Sequence, residues 1–598
     1  MSTDVMSAAP VVADDPTLDL AGLVERQRAA HADGRPFLPV RFKGAAIEIG
    51  PLVRPGVPGC VACAEERHRS VASTPPMHAY LAQEPSRLTS ETHWSVLAAE
   101  LVAARLAGGA DDDVIQVVSA ARGEIQLHRL TPVPDCEVCS VLPDDSADLA
   151  RWSWTTQRSA EPERLRVKPL LPLSDLAHMH DHRYGPVAHV YRDPIAPMAF
   201  TGVELATLRH RPRMYAFGRS RDFESSRRVG FLEAVERESG SWPSARRTSV
   251  VGSYRSLADV ALDPALLGLT DPAYDGHRHS LLTPYSPDAQ TSWVWGHDVA
   301  SGTPVLVPEH VAYYGVPGRP GRARFLYECS SGCAVGGCLE EAVLYACLET
   351  IERDAFLLAW YSQTPGTPLD PGGVVDPDGC DLLDVLAGEG YETRLFDITS
   401  DVGVPVVWAL ALDPANPDGA SLSAAAAHPD PERAITGALV EVAAMAVLGN
   451  RRTDHPSAED RRAMLADPTR VVSLDDHVAL YTLPASLDRL AWQLEAGPPV
   501  DAATHFGDWR SRWIRPDLTD TMRLVTGAMA AAGLPPIIVR QTTARDHRLG
   551  VEVVKAIAPG ALAMTFGHVH HRTRGLPRLD AARARTGVDG PILPHPFP

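Results

Sequence analysis

Two sets of residues in this sequence stand at spacings that permit chemistry. Cys60 and Cys63 in GCVAC and Cys136 and Cys139 in DCEVC are matched Cys-x-x-Cys pairs. Each pair can reach one metal from a tight turn, and four thiolates close a tetrahedral Zn²⁺ site with no coordination position left for substrate. Such zinc is structural, and its loss is expected to weaken the N-terminal domain rather than a nucleotide site. The alternative is two incidental cysteine pairs. The second set is acidic. FLEAVERES at Phe231–Ser239 and CLETIERDA at Cys347–Ala355 share L-E-x-x-E-R, 116 residues apart. Glu233 and Glu236, and likewise Glu349 and Glu352, share a helical face, and Glu341 lies close to the second face. Their neighbours (Phe231, Val235, Leu348, Ile351) are apolar, so these carboxylates are expected to be buried and to need a cation. Arg237 and Arg353 supply one within the helices. Mg²⁺, a hard cation that keeps oxygen and phosphate ligands, is the sharper reading. A di-iron centre would want Glu-x-x-His, which neither repeat has.

These groups need a large scaffold. The chain has 598 residues, 45% hydrophobic and 22% charged, as in folded globular proteins. Its net charge of −19 leaves no cationic footprint for nucleic acid or an anionic membrane. No apolar run approaches the ~20 residues of a membrane span, and the acidic N-terminus is no secretory signal, so a cytoplasmic protein is expected. There is no GxxxxGK[ST] and no GxGxxG after a strand, so any ATP site is built differently.

Residues 1–16, small and acidic, read as disordered. Helices are expected at Leu18–Ala32 and His93–Leu106, and strands at Ala45–Ile49, Val114–Val118 and Glu124–Leu130. With the cysteines these make a small α/β zinc domain, 17–170, ended by the Pro-rich Lys168–Ser174. From 171 to 598, strands such as Val187–Tyr191, Val404–Leu412 and Pro536–Arg540 alternate with helices at Ser225–Glu238, Leu339–Trp360 and Pro431–Leu448. The class is mixed α/β (α+β). The repeated L-E-x-x-E-R hints at two related halves about a pseudo-two-fold.

From about residue 180 onward the chain resembles the YcaO family, specifically the azoline-forming cyclodehydratases that modify ribosomally made peptides. FGRSRDFESSRRVGFLEAVERESG resembles the family's first ATP motif and aligns Ser226, Glu233 and Glu236. Where the family has Gly-Lys-Gly, this chain has Gly218-Arg219-Ser220, which makes Arg219 the cation. SSGCAVGGCLEEAVLYACLETIERDAFLLAW resembles the second motif and aligns Glu341, Glu349, Glu352, Arg353 and Asp354. Gly337 and Leu344 replace the usual Asn and Gln. HPDPERAITGALVEV resembles the third conserved helix, after which a nucleotide-binding Arg is expected, Arg451 being the candidate. The chain ends Pro594-His595-Pro596-Phe597-Pro598, similar to the Pro-x-Pro-x-Pro tail that azoline-forming members thread into the active site. IEIGPLVRPGVPGCVACAEER resembles the zinc-site entry of the activating-enzyme-like partner of these enzymes, here fused and shortened.

The resemblance implies a YcaO fold of two pseudo-symmetric halves. ATP would lie between them, with Mg²⁺ on Glu233, Glu236, Glu349 and Glu352, and with Glu341, Ser226 and Arg219 also lining the nucleotide. A Cys (or Ser/Thr) of a precursor peptide would attack the preceding carbonyl. Phosphorylation of the amide oxygen and loss of phosphate would leave a thiazoline or oxazoline. Arg353 would neutralise phosphate charge, and the Pro598 carboxylate would handle a proton or position the peptide. Thioamide or amidine formation, and a catalytically silent peptide-binding scaffold, stand beside this reading. A homodimer is expected. Leu18–Ile49 holds one helix and one short strand, too little for the winged-helix module that pairs a leader peptide onto a sheet edge. A separate leader-peptide-binding protein is therefore expected, as in thiopeptide-type pathways.

Overall fold

The computed structural model describes residues 9–15, 18–43, 46–71, 92–108, 111–119, 122–159, 162–193, 198–206, 208, 213–449 and 456–597. Against the single break expected near residue 170, the chain forms two compact units and crosses between them after Pro143, Leu170 and Glu238.

The first unit is built on a five-stranded sheet. β1 (Val11–Ala13), β2 (Phe37–Lys43), β3 (Ala46–Ile49), β4 (Val114–Ser119) and β5 (Glu124–Arg129) lie in that order, β1 parallel to β2 and the rest antiparallel. Helices α1 (Leu20–Ala32), α2 (Val61–Val71) and α3 (Thr92–Gly108) accompany it. Asp19 caps α1 by accepting the Gly22 N–H at 2.8 Å. Leu38, Val40, Ile47, Ile49 and Val118 pack with Ala98 and Val102 of α3. Two expectations are corrected here. Val11–Ala13, inside the stretch read as disordered, is a strand, because two β-branched residues can add to the β2 edge. The first 49 residues also hold β2, hidden in sequence by Pro39. Pro39 is tolerated because pairing with β3 begins only at Val40, and the Pro39 carbonyl accepts the Gly50 N–H at 2.9 Å. A second, antiparallel sheet of β6 (Val187–Asp193), β7 (Ala199–Leu205) and β8 (Met214–Ser220) leads into α4 (Phe223–Ser241). A Cβ on Gly218 would lie 1.7 Å from the Ser226 carbonyl oxygen, so strand and helix meet at a glycine.

Besides a two-stranded antiparallel pair, Leu269–Thr270 with Arg572–Arg574, the second unit has two larger antiparallel sheets. In one, β9 (Val250–Gly252), β10 (Thr291–Asp298), β11 (Thr303–Pro308) and β12 (Cys333–Gly336) join β17 (Ile537–Arg540) and β18 (Glu552–Ile557), in the order β11-β10-β17-β18-β12 with β9 also on β10. Between these segments comes α5 (Leu339–Ser362), capped by the Cys338 sulfur and left through Gln363 in the left-handed region (φ 49°). Leu344, Leu348, Ile351 and Phe356 bury it in the main core. The other sheet runs β13 (Thr367–Leu369), β14 (Glu392–Asp397), β15 (Val406–Leu412), β16 (Ser421–Ala427). It is followed by α6 (Pro431–Gly449), α7 (Leu474–Tyr481), α8 (Leu518–Ala531) and, near the chain end, α9 (Pro577–Thr586). Asp430 starts α6 as expected, accepting the Glu432 N–H at 3.0 Å. No helix among the described residues is long and apolar enough to cross a membrane.

Candidate metal and nucleotide sites

The cysteine pairs converge. All four sulfurs lie within 4.8 Å of one another, with Cys60–Cys136 at 3.6 Å, Cys63–Cys139 at 3.5 Å and Cys60–Cys63 at 3.8 Å. Zn–S bonds of about 2.3 Å place tetrahedral sulfurs about 3.8 Å apart, so the set fits zinc. Backbone N–H groups point at two of the sulfurs, Gly59 to Cys139 and Val133 to Cys63, each at 3.4 Å, as second-shell donors to thiolates do.

In the first unit, α4 carries the first acidic repeat. Glu233 accepts the Phe217 N–H of β8 at 2.9 Å and pairs with Arg237 at 2.6 Å. Glu236, one turn on, is partly buried. Ser226 is wholly buried, its hydroxyl 2.7 Å from the Thr201 hydroxyl and 2.9 Å from the Gly218 carbonyl. It therefore ties α4 to β7 and β8. Arg219 sits on β8, partly buried.

In the second unit, α5 repeats this local pattern. Glu349 accepts the Gly332 N–H at 3.0 Å from the turn before β12, and Arg353 lies 3.7 Å from it. In both repeats the first Glu thus takes a backbone N–H from just upstream and an Arg four residues on. Arg353 also lies 3.3 Å from Glu352, which accepts the Ala427 N–H at 3.2 Å. Burial pushes the Glu352 carboxyl up to about 8; Arg353 opposes this, and Glu349 and Glu441 add to it. Glu349 and Glu352 thus share one guanidinium, with the charge of Glu441 also felt there, an arrangement that fits a hard divalent cation. Glu441, on α6, was not assigned to the site from sequence; its being the one charge in the apolar run Ala438–Leu448 was the available signal.

Other aligned residues make contacts within the fold. Glu341 is 1% exposed and takes Arg166 at 3.1 Å and the Val167 N–H at 3.1 Å. Asp354 is wholly buried between Arg578, at 2.9 and 3.0 Å, and the Leu562 N–H. Beside Gly337 lies the Lys168 stem, in the space where a Cβ would fall. The turn that supplies Gly332 is held by Lys555, fully buried, which donates to Glu328 at 3.1 Å and to the Cys329 and Ser331 carbonyls at 2.9 and 2.8 Å. No sequence motif pointed to that lysine. Glu328, Ser331, Arg353, Lys555 and Arg572 line a cavity of about 50 Å³.

The chain end is pinned in this same unit. Trp360 donates to the Leu593 carbonyl at 3.2 Å, Tyr481 to that of Pro594, and His477 to that of His595 at 2.9 Å. Phe597 is 2% exposed and packs on Phe356 and on the Arg353 guanidinium, 4.2 Å from the ring centroid. Pro598 and Arg451 lie outside the described residues.

The family profile for YcaO cyclodehydratase, ATP- and Mg²⁺-binding, matches residues 217–562, more than half the chain, and the protein belongs to the YcaO family. The fold resembles a heterocyclase solved in complex with substrate and cofactor: TM-score 0.73 at 19% identity, covering 98% of this chain and 80% of that one. It also resembles the heterocyclase TruD, with TM-score 0.62 at 20% identity over 96% of this chain and 77% of that one. An uncharacterized protein of Methanothermobacter thermautotrophicus is 30% identical over 289 residues, 47% of this chain and 68% of its own length. A protein from the tfuA 3′ region of Rhizobium leguminosarum bv. trifolii is 26% identical, over 45% of this chain and 60% of its own length.

Proposed function

We propose that this protein uses ATP to cyclodehydrate Cys (or Ser/Thr) residues of a ribosomally made precursor peptide to thiazolines or oxazolines. The observation that carries the reading is the partly buried acidic face of α5, with Glu349 and Glu352 sharing Arg353 and Phe597 of the terminal Pro-x-Pro-x-Pro segment lying on that same guanidinium. Mg²⁺ is assigned to Glu349 and Glu352 with Glu233 and Glu236, and Zn²⁺ to the four cysteines. Arg219 and Arg353 are assigned to phosphate charge, and Pro598 to the peptide. Given their hydrogen bonds, Ser226 and Glu341 are assigned to shaping α4 and the start of α5. The peptide thiol (or hydroxyl) gives up its proton and adds to the carbonyl before it, closing a hemiorthoamide ring. The former amide oxygen takes the γ-phosphoryl group of ATP and releases ADP. Phosphate then leaves, with loss of the ring N–H proton, as the C=N bond of the azoline forms. Positioning and charge neutralisation do most of this work.

A separate leader-binding protein and a homodimeric state belong to the same reading. Sub-micromolar leader binding by the purified chain alone, meaning tighter than about −8 kcal/mol, would remove the need for that partner. The decisive experiment incubates precursor peptide, ATP and the chain, with candidate partner present, and reads the peptide by mass spectrometry. Loss of one water per ring supports the proposal, provided Glu352→Ala abolishes it in a folded protein. Exchange of oxygen for sulfur with added sulfide would assign thioamidation instead, and an unchanged peptide would assign a scaffold.

A further inference from the structure

We infer that Arg67 is a positioning residue that couples the four-cysteine cluster to helix α4, so that metal at the cysteines governs how firmly the Glu233–Glu236 segment is held. Arg67 lies one turn beyond Cys63 on α2 and its side chain is 1% exposed. Its Nε donates to the Thr131 carbonyl at 3.1 Å and its Nη2 to that of Pro132 at 3.2 Å. The next residue, Val133, gives its N–H to the Cys63 sulfur, and its carbonyl accepts the Cys136 N–H at 3.2 Å. The guanidinium therefore closes onto the short piece of chain that leads into the second cysteine pair.

The same Nη2 reaches across to Glu238 of α4, 3.1 Å away. At about 100° per residue, Glu238 lies about 200° around the helix from Glu236 and about 140° from Glu233. Arg67 thus holds α4 from the side opposite its candidate ligands. A planar five-donor group suits three acceptors from two segments; an ammonium on a flexible stem does not. A buried ion pair of this kind adds little net stability but fixes orientation, and removing one partner leaves the other charge uncompensated. With metal bound, Cys63 and Cys136 are fixed to each other, the Thr131 and Pro132 carbonyls stay in place, and Arg67 is aimed at Glu238. Without metal that chain of contacts loosens from its first member. On this proposal zinc loss does not spare the nucleotide residues, contrary to the expectation from sequence.

The coupling follows from this geometry. Only its consequence for nucleotide rests on the function proposed above. The test is hydrogen exchange at the backbone amides of residues 223–238 in the purified full-length chain, zinc-loaded and after chelation. In wild type, chelation should speed exchange there about threefold to tenfold, the scale on which coupling residues act. Arg67→Met should show the faster exchange with its zinc content unchanged, chelation should add little more, and Arg67→Lys should recover part of the protection. If Arg67→Met folds poorly, Glu238→Gln removes only the partner charge and carries the same prediction. Wild-type protection of α4 in zinc-loaded variants, or after chelation of wild type, would overturn the coupling. Mg·ATP titrated calorimetrically into the same samples should bind more weakly in parallel. If wild type binds no Mg·ATP, the nucleotide assignment fails while the exchange data still decide the coupling.

Discussion

The guanidinium of Arg353 lies over the Phe597 ring, 4.2 Å from its centroid, and spans Glu349 and Glu352. A desolvated cation–π contact is worth about 2 kcal/mol. Losing it frees Arg353 to swing between the carboxylates. Phe597→Ala should therefore lower kcat/KM for ring formation about tenfold or more, with most of the loss absent in Phe597→Tyr. Both variants should melt within a few degrees of wild type. Full activity in Phe597→Ala would separate the tail from the acidic face.

Gly218 offers a steric test. The 1.7 Å approach to Ser226 is to backbone, which cannot yield as a flexible side chain would. Gly218→Ala should cost about 1–3 kcal/mol or more in chemical denaturation and weaken Mg·ATP binding by displacing α4 from β8. An alanine variant with wild-type stability would mean that strand and helix are further apart than described.

His477 predicts an acid limit. Its Nδ1 donates to the His595 carbonyl and its Nε2 accepts the Gly567 N–H at 3.2 Å, so the ring must be neutral to hold the tail. Burial pushes its pKa down to about 4, partly opposed by the bond to His595, against 6.5 when free. The stability contributed by the neutral ring is complete above 6.5 and is lost as pH falls toward 4. By pH 5.5 the loss is about 1 kcal/mol from this residue. Burial depresses His568 and His571 as well, in the same direction. Denaturation midpoints between pH 5 and 8 should slope more steeply for wild type than for His477→Asn; equal slopes would remove His477 from the account.

The cysteine cluster predicts a stoichiometry. Purified protein should carry one zinc per chain, and Cys136→Ser should lose it and melt in two steps, the first unit earlier than the second. A zinc-free protein with an unchanged melting curve would rule the site out.

Much of this was legible from residue types alone. The matched Cys-x-x-Cys spacing located the cysteine cluster, a long run apolar nearly all round located α5, and a clear cap at Asp430 located α6. What escaped the sequence depends on partners distant in the chain. Glu341 aligns with a family motif, yet its carboxylate is taken by Arg166, 175 residues away. Lys555 has no motif; its importance is that it shapes the turn carrying Gly332. Arg67 reads as ordinary helix vocabulary until Glu238 is seen beside it. β2 was masked by one proline, and β7, buried along its whole length, shows no alternation to reveal a strand.

Helix α5 has 24 residues, about 36 Å of rigid rod. Arg166 fixes its start through Glu341, and the Leu593 carbonyl fixes its end through Trp360. Everything between keeps its bearing by count. One residue inserted after Tyr345 would turn Glu349, Glu352 and Arg353 by about 100° relative to Glu341, away from Gly332, Ala427 and Phe597 together. Volume-conserving apolar exchanges along this helix should cost little, while any change in its length would act as a loss of phase.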